Sequence, residues 1–342
     1  EDNVRSDESG DTADRRTPGV PGLDTILAGG LMPRSSTIIQ GAPGSGKTVL
    51  ANQIAFHQTA GGTRVLYVTL LTETHAALLR HMRSLTFFQP AAVGDTLVYL
   101  SGFQALRDGT SALLTVLQQE VLARRPGLLV VDGLSSVQEL HGPAALRQFL
   151  HELQTSTEAA NCTLLLISAN ARTPSPEEAV VDCVISVREA QLGLRSIRQL
   201  QVSKSRGTPH VHGRHTFKID GDGVTVYPRV EALYRSPSQT IEHNEDRVRF
   251  ERDALDEMLG GGLRAGSSTL LLGATGTGKT LMGLSFLATG LRHNEPAMYA
   301  GFYESVPRVL ASAESIGLRL RGHSDSGLFH LDWQAPVEVS LD

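Results

Sequence analysis

Residues 41–48, Gly41-Ala42-Pro43-Gly44-Ser45-Gly46-Lys47-Thr48, are the stretch that decides how the rest of the chain is interpreted. A Gly, four residues and then Gly-Lys-Thr is typical of a loop that wraps a polyphosphate with backbone N–H groups. Glycine permits positive φ angles and leaves no Cβ between the backbone and the phosphates. We therefore predict that residues 41–48 bind ATP, with Lys47 as a catalytic cation on the terminal phosphates and the Thr48 hydroxyl as a Mg²⁺ ligand.

The residues on either side of this loop support that interpretation. Ser36-Thr37-Ile38-Ile39-Gln40 has the composition of a buried strand, and Val49 to Phe56 has that of a helix. A strand, a glycine loop and a helix in this order are the structural context that the motif requires.

The loop recurs once, 232 positions later, because Lys279 lies at that distance from Lys47. The same offset aligns Leu23 to Thr48 with Leu255 to Thr280 without a gap, which indicates duplication of a whole nucleotide-binding unit. We predict a second ATP site in this copy, with the Thr280 hydroxyl on Mg²⁺. Its loop residues are Gly273, Ala274, Thr275, Gly276, Thr277, Gly278, Lys279 and Thr280.

Composition describes an ordinary globular chain of 342 residues, long enough for two domains. A net charge of −5 provides no overall positive field for nucleic acid or anionic lipid, so we expect neither as a partner. The two cysteines lack metal-site spacing, and we interpret them as buried thiols. No apolar stretch approaches the ~20 residues that cross a bilayer, so we expect a cytoplasmic protein.

Domain boundaries follow from the repeat and from changes in composition. We predict a disordered tail over residues 1–16, a first domain over 17–234, a linker over 235–246 and the amino-terminal part of a second domain over 247–342. Only 63 residues follow Lys279, so we expect the second domain to be cut off and the sequence to be a fragment of a longer protein.

The stretch before the first loop carries a family resemblance. Gly19-Val20-Pro21-Gly22-Leu23-Asp24, then Gly29-Gly30-Leu31, the strand and the loop resemble the KaiC family of tandem RecA-like ATPases. The resemblance implies an α/β fold with two tandem RecA-like P-loop NTPase domains, mainly parallel central sheets and a truncated second copy. It also implies a homo-hexameric ring and signalling or clock-type protein partners. By the same resemblance, autokinase activity would depend on residues that we expect past Asp342.

Acidic residues at strand ends are candidates for activating the attacking water. Val65 to Leu71 predicts a central parallel strand, which in the KaiC family ends in two adjacent glutamates. Here only Glu73 offers a carboxylate, and the second copy offers only Glu304; aligning the two requires one inserted residue. We predict that both are catalytic acids and that hydrolysis is slow. An acid that merely begins a helix is the alternative.

A second acid follows the apolar run Leu128-Leu129-Val130-Val131. Four apolar residues and then Asp, downstream of the glycine loop, predict a strand whose terminal Asp132 holds Mg²⁺, through water. Ser168 or Asn170, after another apolar run, is a candidate γ-phosphate sensor or, equally, a cap or turn residue.

The stretch Lys204-Ser205-Arg206-Gly207-Thr208-Pro209-His210 resembles the KaiC element that reaches the nucleotide of a neighbouring subunit. The resemblance makes Lys204, Arg206, Thr208 and His210 nucleotide-binding residues. Lys204 and Arg206 fall on one side of a strand, so both can face one phosphate site. A solvated basic turn is the alternative. The nearby histidines lack other ligands at metal-site spacing.

Two other functions remain open. A DNA-associated ATPase of the RadA or DnaB kind needs basic or aromatic DNA loops, and residues 133–153 offer only Arg147 and Phe149. An ATP-dependent scaffold with little hydrolysis is the other alternative, since the paired glutamates are missing.

Overall fold

The computed structural model of this chain describes residues 15–72, 75–170, 175–192, 195–233 and 246–334. Two compact units are present, one up to residue 235 and one from residue 236.

The first unit is an α/β layer structure around one large sheet. Its strands are β1 (Ser36–Gln40), β2 (Val65–Thr69), β3 (Leu97–Ser101), β4 (Leu128–Asp132), β5 (Thr163–Ser168), β6 (Cys183–Leu192), β7 (Arg195–Ser205), β8 (His215–Asp220) and β9 (Gly223–Tyr227). Its helices are α1 (Leu23–Ile26), α2 (Lys47–Ala60), α3 (His75–Met82), α4 (Phe103–Asp108), α5 (Thr110–Arg124), α6 (Ser135–Ala159) and α7 (Val230–Leu233).

Within the described residues the sheet order is β3-β2-β4-β5-β1-β6-β7-β8-β9. In this order, the neighbouring strands from β3 through β2, β4, β5 and β1 to β6 pair in parallel. The remaining pairs, β6 with β7, β7 with β8 and β8 with β9, are antiparallel. Strands β1, β2, β4 and β5 are buried along their whole length because apolar clusters cover both faces. The carboxyl ends of the parallel strands share one edge, where ligands of such sheets bind.

The first helix and its glycine pack against the last strand of this sheet. Gly22 has φ 79°, and the Val226 N–H donates to the Pro21 carbonyl oxygen at 2.9 Å. Arg16, one residue before the predicted boundary at residue 17, pairs with Leu31 in an isolated bridge.

The second unit contains β10 (Arg247–Val248), α8 (Asp253–Met258), β11 (Leu263–Arg264), α9 (Lys279–Arg292), β12 (Ala297–Gly301), α10 (Val306–Ser315), α11 (Arg321–Asp325) and β13 (Phe329–Trp333). Strands β12 and β13 pair in parallel, as β2 and β3 do. The offset of 232 residues relates α2 to α9, β2 to β12 and β3 to β13, end to end. The duplication therefore extends through the third strand.

The structures of the copies differ just before their glycine loops. Residues 268–272 form no strand, and Leu270 and Leu272 are 80% and 79% exposed, whereas β1 is fully buried. Strand β1 is held between β5 and β6, whereas residues 268–272 pair with no strand among the described residues of the second unit. A strand needs neighbours for its backbone groups, so this segment remains without regular structure in the second unit.

Candidate functional site

The first glycine loop connects β1 to α2 at the carboxyl edge of the sheet. The Lys47 ammonium donates hydrogen bonds to the carbonyl oxygens of Gly41 and Ala42, both at 2.7 Å, and so folds back over the loop. Gly44 and Gly46 have φ angles of 79° and 96°, which glycine adopts without strain. Burial lowers the pKa of Lys47, and Asp132 partly offsets that effect.

Asp132, at the end of β4, reaches the same loop. The Thr48 hydroxyl donates to Asp132 Oδ2 at 3.1 Å, and the carboxylate is only 4% exposed. Burial raises the pKa of Asp132, while hydrogen bonds from Tyr67 and Thr48 oppose that rise. One hydroxyl and one carboxylate therefore converge from two elements that are 84 positions apart in sequence.

These groups fit Mg²⁺ with a polyphosphate. Hydroxyl and carboxylate oxygens are the donors that Mg²⁺ prefers, and Thr48 and Asp132 supply one of each. The Ser45 hydroxyl is buried and has no hydrogen-bond partner, as expected of a loop shaped for a ligand that accepts hydrogen bonds. A cavity of about 530 Å³, lined by Pro43, Arg188 and Arg214 among others, lies beside the loop and is large enough for a nucleotide.

The second loop repeats the lysine contacts of the first loop and two of its positive glycine φ angles. Lys279 donates to the carbonyl oxygens of Gly273 and Ala274 at 2.8 and 2.7 Å, and Gly276 and Gly278 have φ angles of 82° and 85°. The loop also contains Thr275 and Thr277 and is followed by Thr280 at the second position of α9. Within the described part of the second unit, no carboxylate is hydrogen-bonded to the Thr280 hydroxyl.

The predicted water-activating acids remain predictions. Glu73 lies outside the described residues. Strand β2 ends at Thr69, and the next positions at the sheet edge carry Leu70, Leu71 and Thr72, of which Leu71 is 38% exposed. Glu304 follows β12 and is half-buried. The pKa of Tyr299 is raised mainly by the burial of Tyr299 itself and, secondly, by the charge of Glu304.

Lys204 and Arg206 lie at the other end of the strands. Lys204 Nζ donates to the carbonyl oxygens of Glu178 and Val181 at 2.5 and 2.6 Å. Arg206 donates to the carbonyl oxygen of Ala179 at 3.1 Å, and its guanidinium lies 3.7 Å from the Asp182 carboxylate. Burial is the main cause that lowers the pKa of Lys204.

Strand register fixes how far this basic pair lies from the glycine loop of its own chain. Ser205 pairs with Cys183, and Cys183 pairs with Thr37 near the start of β1, whereas the loop follows Gln40 at its end. At ~3.3 Å per residue, Thr37 and Gly41 are roughly 13 Å apart along the strand. The two groups of predicted site residues therefore do not meet within one chain.

Thr208 and His210 follow the basic pair in the same turn. The Thr208 hydroxyl is hydrogen-bonded to Ser205, and the His210 ring contacts His212 with centroids 4.3 Å apart. In the part of the chain that the structure describes, no group of three or more His, Cys, Asp or Glu side chains is arranged to hold a metal ion.

The polar residues that support Asp132 from behind were not predicted from the sequence. Tyr67, Asn52 and Tyr99 are linked by hydrogen bonds that end on the Asp132 carboxylate. The one available signal was Asn52, a polar residue in the apolar run that follows the loop. Its partners come from β2 and β3, which sequence spacing alone does not bring together.

Comparison with known proteins agrees with this geometry. The family model for the KaiC ATPase matches residues 17–231 and 253–337, which is most of the chain. The chain is 26% identical over 343 residues to the circadian clock oscillator protein KaiC of Parathermosynechococcus lividus, covering 96% of this chain and 62% of that protein.

Two further relatives have similar coverage. Identity is 27% over 342 residues to the circadian clock oscillator protein KaiC 1 of Synechocystis sp., covering 94% of this chain and 64% of the relative. It is 25% over 357 residues to KaiC of Nostoc sp., covering 100% and 68%. The chain thus spans about two thirds of the length of these relatives.

Helices of the described ranges are too short or too polar to span a membrane. Both glycine loops, the Thr48–Asp132 pair and the family match over both copies lead to one assignment: this chain belongs to the KaiC family of ATPases.

Proposed function

We propose that this chain is a slow, regulatory ATPase that binds Mg-ATP in both units and assembles into a ring in which each nucleotide site of the first unit is completed by the next copy. The observation that carries the proposal is the separation between the glycine loop and the Lys204–Arg206 pair. Cations that act on a phosphate must lie near it, so in this geometry their phosphate is one held by another copy.

Within one copy the roles divide as follows. Lys47 and the backbone of residues 41–46 bind the phosphates, and Thr48 and Asp132 hold Mg²⁺, which supplies charge neutralisation on the phosphate oxygens. Thr208 and His210 follow the basic pair in sequence and contact the same nucleotide, which is held by the neighbouring copy. Glu73 is the proposed water-activating acid, and Glu304 has that role in the second unit.

Slow ATP turnover is expected from the residues that follow the end of β2. The apolar Leu71 at the edge of the sheet cannot accept a proton from water, so a single acid remains for that task in the first unit. The same observation favours a second candidate, a scaffold that assembles with ATP and hydrolyses almost none. A DNA-associated role gains nothing from the net charge of −5 or from the family match.

A mixing experiment tests the shared site. All proteins carry Lys279→Ala, so that the second loop does not contribute. In this background Asp132→Asn removes a Mg²⁺ ligand, and Arg206→Ala removes a cation that acts on the neighbour, so each variant should be inactive by itself. In randomly mixed rings, a site works when its loop comes from an Arg206→Ala copy and its arginine from an Asp132→Asn copy. In a closed head-to-tail ring that combination occurs at about one site in four, so an equal mixture should recover about a quarter of the ATPase activity of the Lys279→Ala parent.

Ring size is measured in parallel by light scattering with and without Mg-ATP, and a hexamer is expected. Recovery of no activity in mixed rings would mean that Arg206 acts within its own chain. A ring that forms while wild type and Glu73→Gln hydrolyse equally little supports the scaffold.

A further inference from the structure

A buried chain of hydrogen bonds runs behind the Mg²⁺ ligands of the first unit. The Tyr67 hydroxyl donates to Asp132 Oδ2 at 2.9 Å, the same oxygen that accepts from Thr48. Asn52 Nδ2 donates to the Tyr67 hydroxyl at 3.2 Å and to the Thr48 carbonyl oxygen at 2.8 Å. Tyr67 and Asn52 are both 0% exposed.

Tyr99 on β3 fixes the direction of this chain. Its hydroxyl donates to Asn52 Oδ1 at 2.7 Å, so the amide oxygen faces Tyr99 and the amide NH₂ faces Tyr67. Because the Tyr67 oxygen accepts from Asn52, its proton points to Asp132. The rings of Tyr67 and Tyr99 are also in contact, with centroids 5.1 Å apart and planes tilted by 36°, which restricts both side chains.

The second unit shows that the fold does not require these polar groups. At the offset of 232 residues, Asn52 corresponds to Leu284 of α9 and Tyr99 to Leu331 of β13. Leu284 is 0% exposed, as Asn52 is. An apolar side chain therefore fills the same helix position in the same local fold, and packing alone does not explain the asparagine.

We propose that Tyr67, Asn52 and Tyr99 are positioning residues that hold the Asp132 carboxylate and Thr48 in place for Mg²⁺ before the ion binds. The inference rests on the proposed function, in which the first loop binds Mg-ATP. A buried carboxylate oxygen that accepts two hydroxyl donors has little freedom to rotate, so its alignment need not be established when Mg²⁺ arrives. The second unit, with leucines at two of these positions, should gain less nucleotide affinity from Mg²⁺.

The test measures how much Mg²⁺ strengthens nucleotide binding. A fluorescent, non-hydrolysable ATP analogue is titrated in excess EDTA and in Mg²⁺, and the ratio of the two dissociation constants is the readout. All proteins carry Lys279→Ala, so that the second loop does not contribute. Tyr67→Phe keeps the ring and removes only the hydroxyl.

We expect Tyr67→Phe to lower this ratio about tenfold, the effect of one hydrogen bond to a charged group, with affinity in EDTA unchanged within about twofold. Asn52→Leu/Tyr99→Leu, which introduces the residues of the second unit, should lower the ratio at least about threefold. Tyr227→Phe, on β9 and outside the chain of hydrogen bonds, is the matched control and should match wild type.

An unchanged ratio in Tyr67→Phe overturns the inference while leaving the proposed function intact. A loss of affinity in EDTA equal to that in Mg²⁺ also overturns it, since the residues would then support the loop rather than the ion. If the protein with an intact first loop binds no analogue in either condition, the proposed function itself fails.

Discussion

Alanine substitutions at two glycines with the same φ angle distinguish the steric cost of an added Cβ from the conformational cost of a positive φ. Gly22, in the Gly-Leu-Asp segment before α1, and Gly62, after α2, both have φ +79°. A Cβ at Gly22 would lie 1.9 Å from the Val226 carbonyl oxygen and 2.9 Å from its carbon, whereas a Cβ at Gly62 would meet nothing within 4 Å. Alanine at the two positions therefore shares the strain of a positive φ, and only Gly22→Ala adds a collision.

The expected magnitudes follow from these distances. A side chain in the left-handed region costs about 1–2 kcal/mol at either position. Gly22→Ala must also displace the backbone of β9, which costs about 1–3 kcal/mol for overpacking and about 1 kcal/mol for the Val226–Pro21 hydrogen bond. We expect Gly22→Ala to be less stable than Gly62→Ala by about 2–4 kcal/mol.

The assay is urea unfolding followed by far-ultraviolet circular dichroism, without nucleotide so that ligand binding does not contribute. The single tryptophan, Trp333, lies in the second unit, so its fluorescence follows that unit separately and should be unchanged in both variants. Equal urea midpoints for Gly22→Ala and Gly62→Ala would refute the reasoning, because the collision at Gly22 would then have no effect on stability.

Three further predictions concern buried ionisable groups. Burial raises the pKa of Cys162 to about 12 and of Cys183 to about 11. Neither thiol should therefore react with a disulfide reagent at pH 8 until the protein is unfolded in urea. Rapid labelling of the native protein would contradict this prediction. Burial also raises the pKa of Asp132 above 3.8, so the folded state binds its proton more tightly than the unfolded state and loses stability as the pH rises from 3.8 through the folded-state pKa. In metal-free buffer Asp132→Asn should therefore gain in free energy of unfolding relative to wild type across that pH range, and parallel pH curves would count against it. In the second unit, Asp256 accepts from the Phe250 and Arg252 N–H groups at 2.8 and 3.2 Å, so Asp256→Ala should cost about 2 kcal/mol by Trp333 fluorescence. Asp24, its counterpart in the first unit, has a buried Oδ1 without a hydrogen-bond partner, and Asp24→Ala should cost clearly less by circular dichroism.

Much of the fold could be predicted because local sequence carries strong signals. The strand Ser36–Gln40, the glycine loop and the following helix form as predicted. Strand β3 and the long helix α6 were not predicted. Within α6, Gly142 has a non-helical φ of 85° and ψ of 171° and is followed by Pro143, so two helical segments meet at a kink there, and both bury apolar residues against the sheet.

The sequence by itself determined the family, the α/β class, the duplication and the loop residues, because a phosphate loop is built from consecutive residues and a repeat is visible as a fixed offset. Only the tertiary structure decided what depends on contacts between distant segments. It brought Asp132 to Thr48, linked Asp132 through Tyr67 and Asn52 to Tyr99, and set Lys204 and Arg206 at the far end of β1 from the loop. It also left residues 268–272 without a strand although they repeat a segment that is one in the first unit, since a strand is stabilised by its neighbours rather than by its own sequence.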